Sequence, residues 1–245
     1  MDELDIIIPV YHEGASIARV LDKFHELITT PFRVFICYDF DDDNTLEALA
    51  AYPEDRVEVE LVKNPDPGPH GAVLAGLAAS TAPMVMVYMA DDDYNVHLVD
   101  QMVKKLDEGF DTVVASRFVP GGTMIGCRWY KALPTHVATF TLYHLGRLGV
   151  RDSTNSFRLT TRRVIETIEI ESREGFTFGI ELLVKTRRLG WKVAEIPAHW
   201  EEREDKPSRF RILKWMPAYL RWYFYAFATF YLFRGPETVR RNSSE

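Results

Sequence analysis

Cysteine is nearly absent: Cys37 and Cys127 are the two among 245 residues, with no Cys-x-x-Cys pair and no disulfide framework. That excludes a small cross-linked scaffold and fits a reducing cytosol. The acidic start Met1-Asp2-Glu3-Leu4 is not that of a secretory signal, so a cytoplasmic location is expected. Basic charge is also short, with 29 Lys and Arg against 36 Asp and Glu and a formal net charge of -7, which disfavours general nucleic-acid binding. No Gly-x-Gly-x-x-Gly follows the first apolar run; the glycines of 68–76 come after the third, which argues against a dinucleotide dehydrogenase. A P-loop and a Gly-x-Ser-x-Gly nucleophile elbow are absent too. The seven histidines form no metal-ligand spacing. Nor is there a clean membrane span of ~20 apolar residues, because the most aromatic stretch, Trp215 to Phe233, is broken by Pro217 and Arg221.

What is present is organised around Met84-Val85-Met86-Val87-Tyr88-Met89-Ala90-Asp91-Asp92-Asp93. An unbroken apolar run of this length, bounded by Pro83 and three acids, reads as a strand buried on both faces. Ligands of open α/β sheets sit beyond the carboxyl ends of the strands, where carboxylates can hold a hard divalent cation through oxygen. One Asp would suffice to cap the helix expected over 95–108. Three adjacent acids repel one another unless a cation neutralises them, which points to metal held with a diphosphate.

Before this strand the pattern gives strands at 4–10, 32–38 and 57–62, alternating with helices from about 15 to 27, after 45, and from 68 to 79. After it come a strand at 112–115 that delivers Ser116-Arg117, an aromatic and basic segment 129–148 with Pro134 inside, and a polar turn 152–158. Helices at about 161–168 and 177–189, a strand at 192–196 and a charged loop 203–209 complete the domain. Alternating strands and helices with short links imply parallel strands and right-handed crossovers. The expected division is a catalytic domain over 1–212, an aromatic helix over 213–234 and a flexible tail over 235–245. Lys214, Arg221 and Arg234 beside the aromatics fit a helix lying in a membrane surface, while packing onto the domain or onto a second copy in a homo-oligomer is the alternative.

The ordered set Asp5-Ile-Ile-Ile-Pro-Val-Tyr-His-Glu13, Asp39 with Asp43-Asn-Thr45, Gly71-Ala-Val-Leu-Ala-Gly76, Met89-Ala-Asp-Asp-Asp93 and Ala115-Ser-Arg-Phe-Val-Pro-Gly-Gly122 resembles family 2 glycosyltransferases. The late segments Asp152 to Arg158, Phe178 to Leu183 and Arg203 to Phe210 are similar to those of dolichol-phosphate mannose synthases and related polyprenyl-phosphate sugar transferases. The resemblance implies an α/β fold of GT-A type, with a mostly parallel central sheet flanked by helices and a C-terminal amphipathic aromatic helix. It also implies that Pro9, Tyr11, Glu13, Asp39 and Ala90 line the donor, that Asp91 and Asp93 hold Mg2+ or Mn2+ on its diphosphate, that Arg117 lies beside the sugar or acceptor phosphate, and that Arg203 and Arg209 close over donor and lipid phosphate. The acidic motif admits two registers, one with Met89 and one with Asp91 in the place of its first acid, and Tyr38-Asp39-Phe40-Asp41 stands where Asp-Asp-Gly-Ser is usual, so one of the paired acids is missing.

The activity implied is inverting transfer from a nucleotide-diphosphate sugar, GDP-mannose or a UDP-hexose, to a polyprenyl phosphate at the cytosolic membrane face. A transferase acting on a saccharide hydroxyl is the alternative; it needs a carboxylate base, with Asp92 or Glu181 in that role. A non-catalytic nucleotide-sugar scaffold is the other.

Overall fold

The computed structural model describes residues 3–53, 55–127, 129–201 and 212–242. Seven strands form one twisted sheet in the order β3-β2-β1-β4-β7-β5-β8. They are β1 (Leu4–Pro9), β2 (Phe32–Tyr38), β3 (Val59–Lys63), β4 (Met84–Val87), β5 (Thr112–Ser116), β7 (Arg158–Thr161) and β8 (Val193–Pro197). Strands β3, β2, β1 and β4 are mutually parallel, and so are β5 and β8. A further pair, β6 (Thr123–Ile125) and β9 (His199–Glu201), forms a small parallel sheet of its own.

The crossover helices cover both faces, which is why the central strands are apolar throughout rather than alternating. Ile6 and Ile8 of β1 face one side with Leu21 and Phe24 of α1 (Ser16–Leu27) and Met102 and Leu106 of α4 (Val99–Asp107). Ile7, one residue out of phase, faces the other side with Val73 and Leu77 of α3 (Pro69–Ala79) and Phe178 and Leu182 of α7 (Thr177–Arg188). Gly76 is required there, because a Cβ on it would run into the Ile7 and Cys37 side chains. The short helices α2 (Asn44–Ala50) and α6 (Arg162–Thr167) complete the links between these strands and helices.

Strand β7 departs from the sequence reading, which passed from the 152–158 turn straight into a helix. Four residues, Arg158 to Thr161, insert antiparallel between β4 and β5, pairing Val87 with Arg158 and Val113 with Leu159. An Arg at the head of so short a run hides the strand, yet Arg158 is buried and its guanidinium bonds the Gly179 and Ser153 carbonyls. Burial lowers its pKa to about 10 even with Asp152 nearby.

A third core cluster joins α5 (Trp129–His144), α7 and α8 (Ile212–Tyr231), with Leu142, Leu183, Trp222 and Ala226 at its centre. The inner side of α8 therefore packs on the domain. Trp222 donates its indole N–H to Ser172 at 2.9 Å, and Arg188 reaches the Tyr225 carbonyl at 2.6 Å. Among the described residues no helix is long and apolar enough to cross a membrane. Residues 235–242, read from sequence as loose tail, are tied down instead. Glu169 donates its N–H to the Arg240 carbonyl, Asn242 to that of Thr167, and Val239 is buried.

Candidate active site

The carboxyl ends of β1, β2, β4 and β5 lie along one edge, and the strand order reverses between β1 and β4, the chain stepping from β1 out to β2 and β3 and from β4 out the other way to β5. That is the crevice in which open α/β sheets take ligands. The loop leaving β1 is fixed there by three successive bonds. The backbone N–H groups of His12, Glu13 and Gly14 donate to Asp43 at 2.9 Å, to Thr45 at 3.0 Å and to Asn44 at 3.0 Å. Asp43 also caps α2 by accepting from the Thr45 amide. Burial pushes the Asp43 pKa up, but the hydrogen bonds from Thr45 and His12 prevail and hold it below the ordinary value. His12 and Gly14 both adopt positive φ in this tight loop. Tyr11 is left half-exposed over the crevice, Pro9 and Glu13 partly buried beside it.

Asp39, at the end of β2, spends both carboxylate oxygens on its surroundings: Asn64 donates to one and the Gly68 N–H to the other, each at 2.8 Å. Asn64 was missed in the sequence, although Asn64-Pro65-Asp66 carries the signature of the Asx turn it makes with the Asp66 amide.

The three acids divide their labour. Asp92 accepts from the Tyr94 and Asn95 amides and from the Asn95 side chain, so it closes the turn that leads into the short helix Val96–Leu98. Burial raises its pKa. Asp91 is exposed at the crevice, and Asp93 is half-buried with one oxygen sealed from solvent. Beneath them lies Tyr88, whose phenol is held well above the tyrosine range by burial first and then by the charges of Asp92, Asp93 and Asp91. Ala90 is buried.

Arg117 is placed at the same edge but is already engaged. Its fork grips Asp152 with bonds of 2.8 and 2.9 Å and also reaches Thr154. Burial would raise the Asp152 pKa, yet the Arg117 guanidinium and its hydrogen bonds keep it below the usual carboxylate range. Asn155 completes this turn by donating to the Ala115 carbonyl at 2.6 Å. Glu181, the alternative base, is withdrawn from any ligand. It is fully buried, paired with Lys185 at 2.6 Å, and accepts the Glu171 and Ser172 amides. Arg203 and Arg209 lie outside the described residues.

A link between the acids and β9 also escaped the sequence reading. Asn95 receives the His199 N–H at 3.0 Å and donates to the His199 carbonyl at 2.8 Å while holding Asp92.

The model of the family described as Glycosyl transferase family 2 matches residues 5–169. The chain belongs to that family. The family 2 chain is 28% identical over 208 residues to the polyprenol monophosphomannose synthase of Mycolicibacterium smegmatis, covering 81% of this chain and 77% of that protein. It is 26% identical over 208 residues to an uncharacterized glycosyltransferase of Mycobacterium tuberculosis, covering 85% and 89%. Its fold is that of glucosyl-3-phosphoglycerate synthase from M. tuberculosis, solved with Mn2+, UDP and glucosyl-3-phosphoglycerate. The TM-score is 0.63 at 19% identity, with 93% of this chain and 79% of that one covered. The same enzyme with Mg2+ and UDP matches at a TM-score of 0.62 and 20% identity. The chain is thus a glycosyltransferase of GT-A fold, with the mostly parallel sheet expected from its sequence.

Among the described residues no group of three or more His, Cys, Asp or Glu is arranged to hold a metal ion. The residues nevertheless fit a cation that arrives with its ligand, since Mg2+ commonly takes one or two carboxylates and completes its shell with substrate phosphate and water. Asp91, exposed, and Asp93 are the residues that would supply them.

Proposed function

We propose that this family 2 enzyme is an inverting transferase that moves a hexose from a nucleoside-diphosphate donor, GDP-mannose or a UDP-hexose, to a polyprenyl phosphate at the cytosolic membrane face. The observation that carries it is Asp91, exposed at the end of a fully buried strand in the crevice between β1 and β4, with Tyr11, Glu13 and Asp39 along the same edge. The likeness to a polyprenol monophosphomannose synthase supports the acceptor class.

In this reading Pro9, Tyr11, Glu13, Asp39 and Ala90 bind base and ribose. Asp91 and Asp93 would hold the divalent ion, whose chemistry would be charge neutralisation at the departing diphosphate. An acceptor phosphate oxygen attacks the anomeric carbon from the face opposite the leaving group; the C–O bond to the diphosphate breaks and the nucleoside diphosphate leaves with the electron pair. A phosphate is already anionic at neutral pH, so no strong base is needed. That suits an edge where Asp92 is tied to Asn95 and Glu181 is buried. The same two facts weigh against transfer to a saccharide hydroxyl. Arg117 orients the acceptor side through the 152–155 turn that it locks, and Arg203 and Arg209 are assigned to donor and lipid phosphate.

The test is transfer of labelled sugar from GDP- and UDP-hexoses to a short polyprenyl phosphate in detergent with Mg2+ or Mn2+. A lipid-soluble product that vanishes in Asp91→Asn is expected. Donor binding without lipid product would overturn the acceptor and favour a saccharide; no donor binding at all would leave a scaffold.

A further inference from the structure

Charge is segregated along this chain far more sharply than the net value of -7 suggests. Residues 112–151 and 206–236 together contain 11 Lys and Arg and not one Asp or Glu, whereas the remainder carries 18 basic and 36 acidic residues. The first acid-free segment contains α5 and the second contains α8.

The two helices touch: Tyr223 of α8 donates to Thr141 of α5 at 2.9 Å, and Tyr231 to the Leu145 carbonyl at 3.1 Å. Each buries one side in the shared core, Leu142 on α5 and Trp222 and Ala226 on α8. On the side turned away from that core each carries large apolar residues at helical spacing. Trp129, Leu133 and Phe140 of α5 are 75%, 55% and 62% exposed, and Leu220 and Phe224 of α8 are 42% and 63% exposed. Phe233, just past α8, is 90% exposed. Cations rim the face. Arg147 lies over the Phe230 ring at 3.9 Å and Arg151 over Tyr143 at 5.3 Å, while Arg234 directly follows Phe233. Aromatic rings flanked by guanidinium groups, with no carboxylate in either segment, suit the boundary between anionic headgroups and acyl chains.

We infer that the outer sides of α5 and α8 form one docking surface for an anionic lipid bilayer. It deepens the reading given under Proposed function and rests on it for the idea that the acceptor resides in that bilayer. Placement agrees with this use. α5 follows β6 and α8 follows the segment after β9, and β6 and β9 pair beside the end of β5 that carries Arg117, through the Ala198 N–H bond to the Ser116 carbonyl. The amino-terminal end of α5 thereby lies close to the active edge, and α8 packs along α5, so a surface bound along the two helices passes beside the site.

The test is flotation of the full chain, without donor, on phosphatidylcholine vesicles with and without phosphatidylglycerol. The chain is expected to float with the anionic vesicles at low salt and to lose at least about tenfold of its partitioning in high salt. The triple variant Phe140→Ser/Phe224→Ser/Phe233→Ser should lose at least about tenfold while keeping its circular dichroism and its transfer rate in detergent, and Arg151→Glu/Arg234→Glu should lose the preference for anionic lipid. The proposal is overturned if the wild-type chain stays with neither vesicle or if the triple variant floats equally well. It is likewise overturned if sedimentation finds a dimer that the triple variant splits, since the face would then belong to a second copy. Flotation with no transfer in detergent would sink the acceptor reading alone.

Discussion

At the ends of β1 and β2, three consecutive amides of one loop meet three consecutive side chains at the start of α2. On the outer side of α5 and α8, by contrast, aromatic rings face solvent with arginines laid over some of them. The first region uses short, directional bonds that leave each carboxylate one place to be. The second uses area and delocalised charge, which tolerate many geometries. Directional positioning belongs where a sugar must meet its acceptor within a fraction of an ångström. Area and charge belong where a fluid or variable surface is gripped. The comparison can be broken by substitutions on either side of it.

The largest effect is expected at the directional edge. Asp91→Asn keeps size and removes the charge, so transfer in the presence of metal should fall by about 100-fold or more while the melting temperature hardly moves, since Asp91 is exposed and caps nothing. Kinetics alongside a melting curve check both halves. A variant that retained most of its activity would shift the metal role elsewhere.

Next come the buried supports. Asp152→Ala strands Arg117 and removes the charge facing Arg158, and breaking such a pair costs about 3–5 kcal/mol. The pH dependence has a definite sign. The folded-state pKa of Asp152 is depressed, so its contribution is fully present above the unfolded value near ~3.9 and is lost as pH falls through the lower folded value. Denaturant midpoints should therefore decline in acid for the wild-type chain and decline less for Asp152→Ala. Asn95→Ala is milder, about 1–3 kcal/mol from the polar groups left unpaired on Asp92 and His199. Its transfer rate should fall in parallel if Asn95 aligns the acids with β9.

The sequence made the first half of the chain legible because each strand there ends in residues whose types have few other uses. Pro9 with Glu13, Asp39, and the acids after Tyr88 all fall on one edge once the strands are parallel. Their division of labour was not legible. Which of Asp91, Asp92 and Asp93 turns back onto the backbone depends on the turn through Asn95, and that turn is bonded to His199, more than a hundred residues away. Glu181 sat in a pattern that fits an amphipathic edge equally well, and its burial is decided by Lys185 together with the Glu171–Ser172 amides. Strand β7 was hidden because Arg158 heads it, and a charged residue enters a sheet interior only when carbonyls from other elements, here Gly179 and Ser153, receive it. Long-range partners of this kind leave no local trace.

The smallest effect separates the two sides of a single helix. Trp222 and Phe224 are two residues apart in α8, so their side chains point in nearly opposite directions. Trp222 is buried, bonded to Ser172 and approached by Lys185, so Trp222→Ala should cost about 3–5 kcal/mol. Phe224 is largely exposed, and Phe224→Ala should change stability by no more than about 0.5 kcal/mol in either direction. Chemical denaturation of the two variants side by side measures the contrast. If Phe224→Ala were as damaging as Trp222→Ala, the outer side of α8 would be part of the protein's own core. If it is neutral, a large aromatic residue stands on that side for a reason other than folding, and the charge segregation of the chain supplies the direction in which to look.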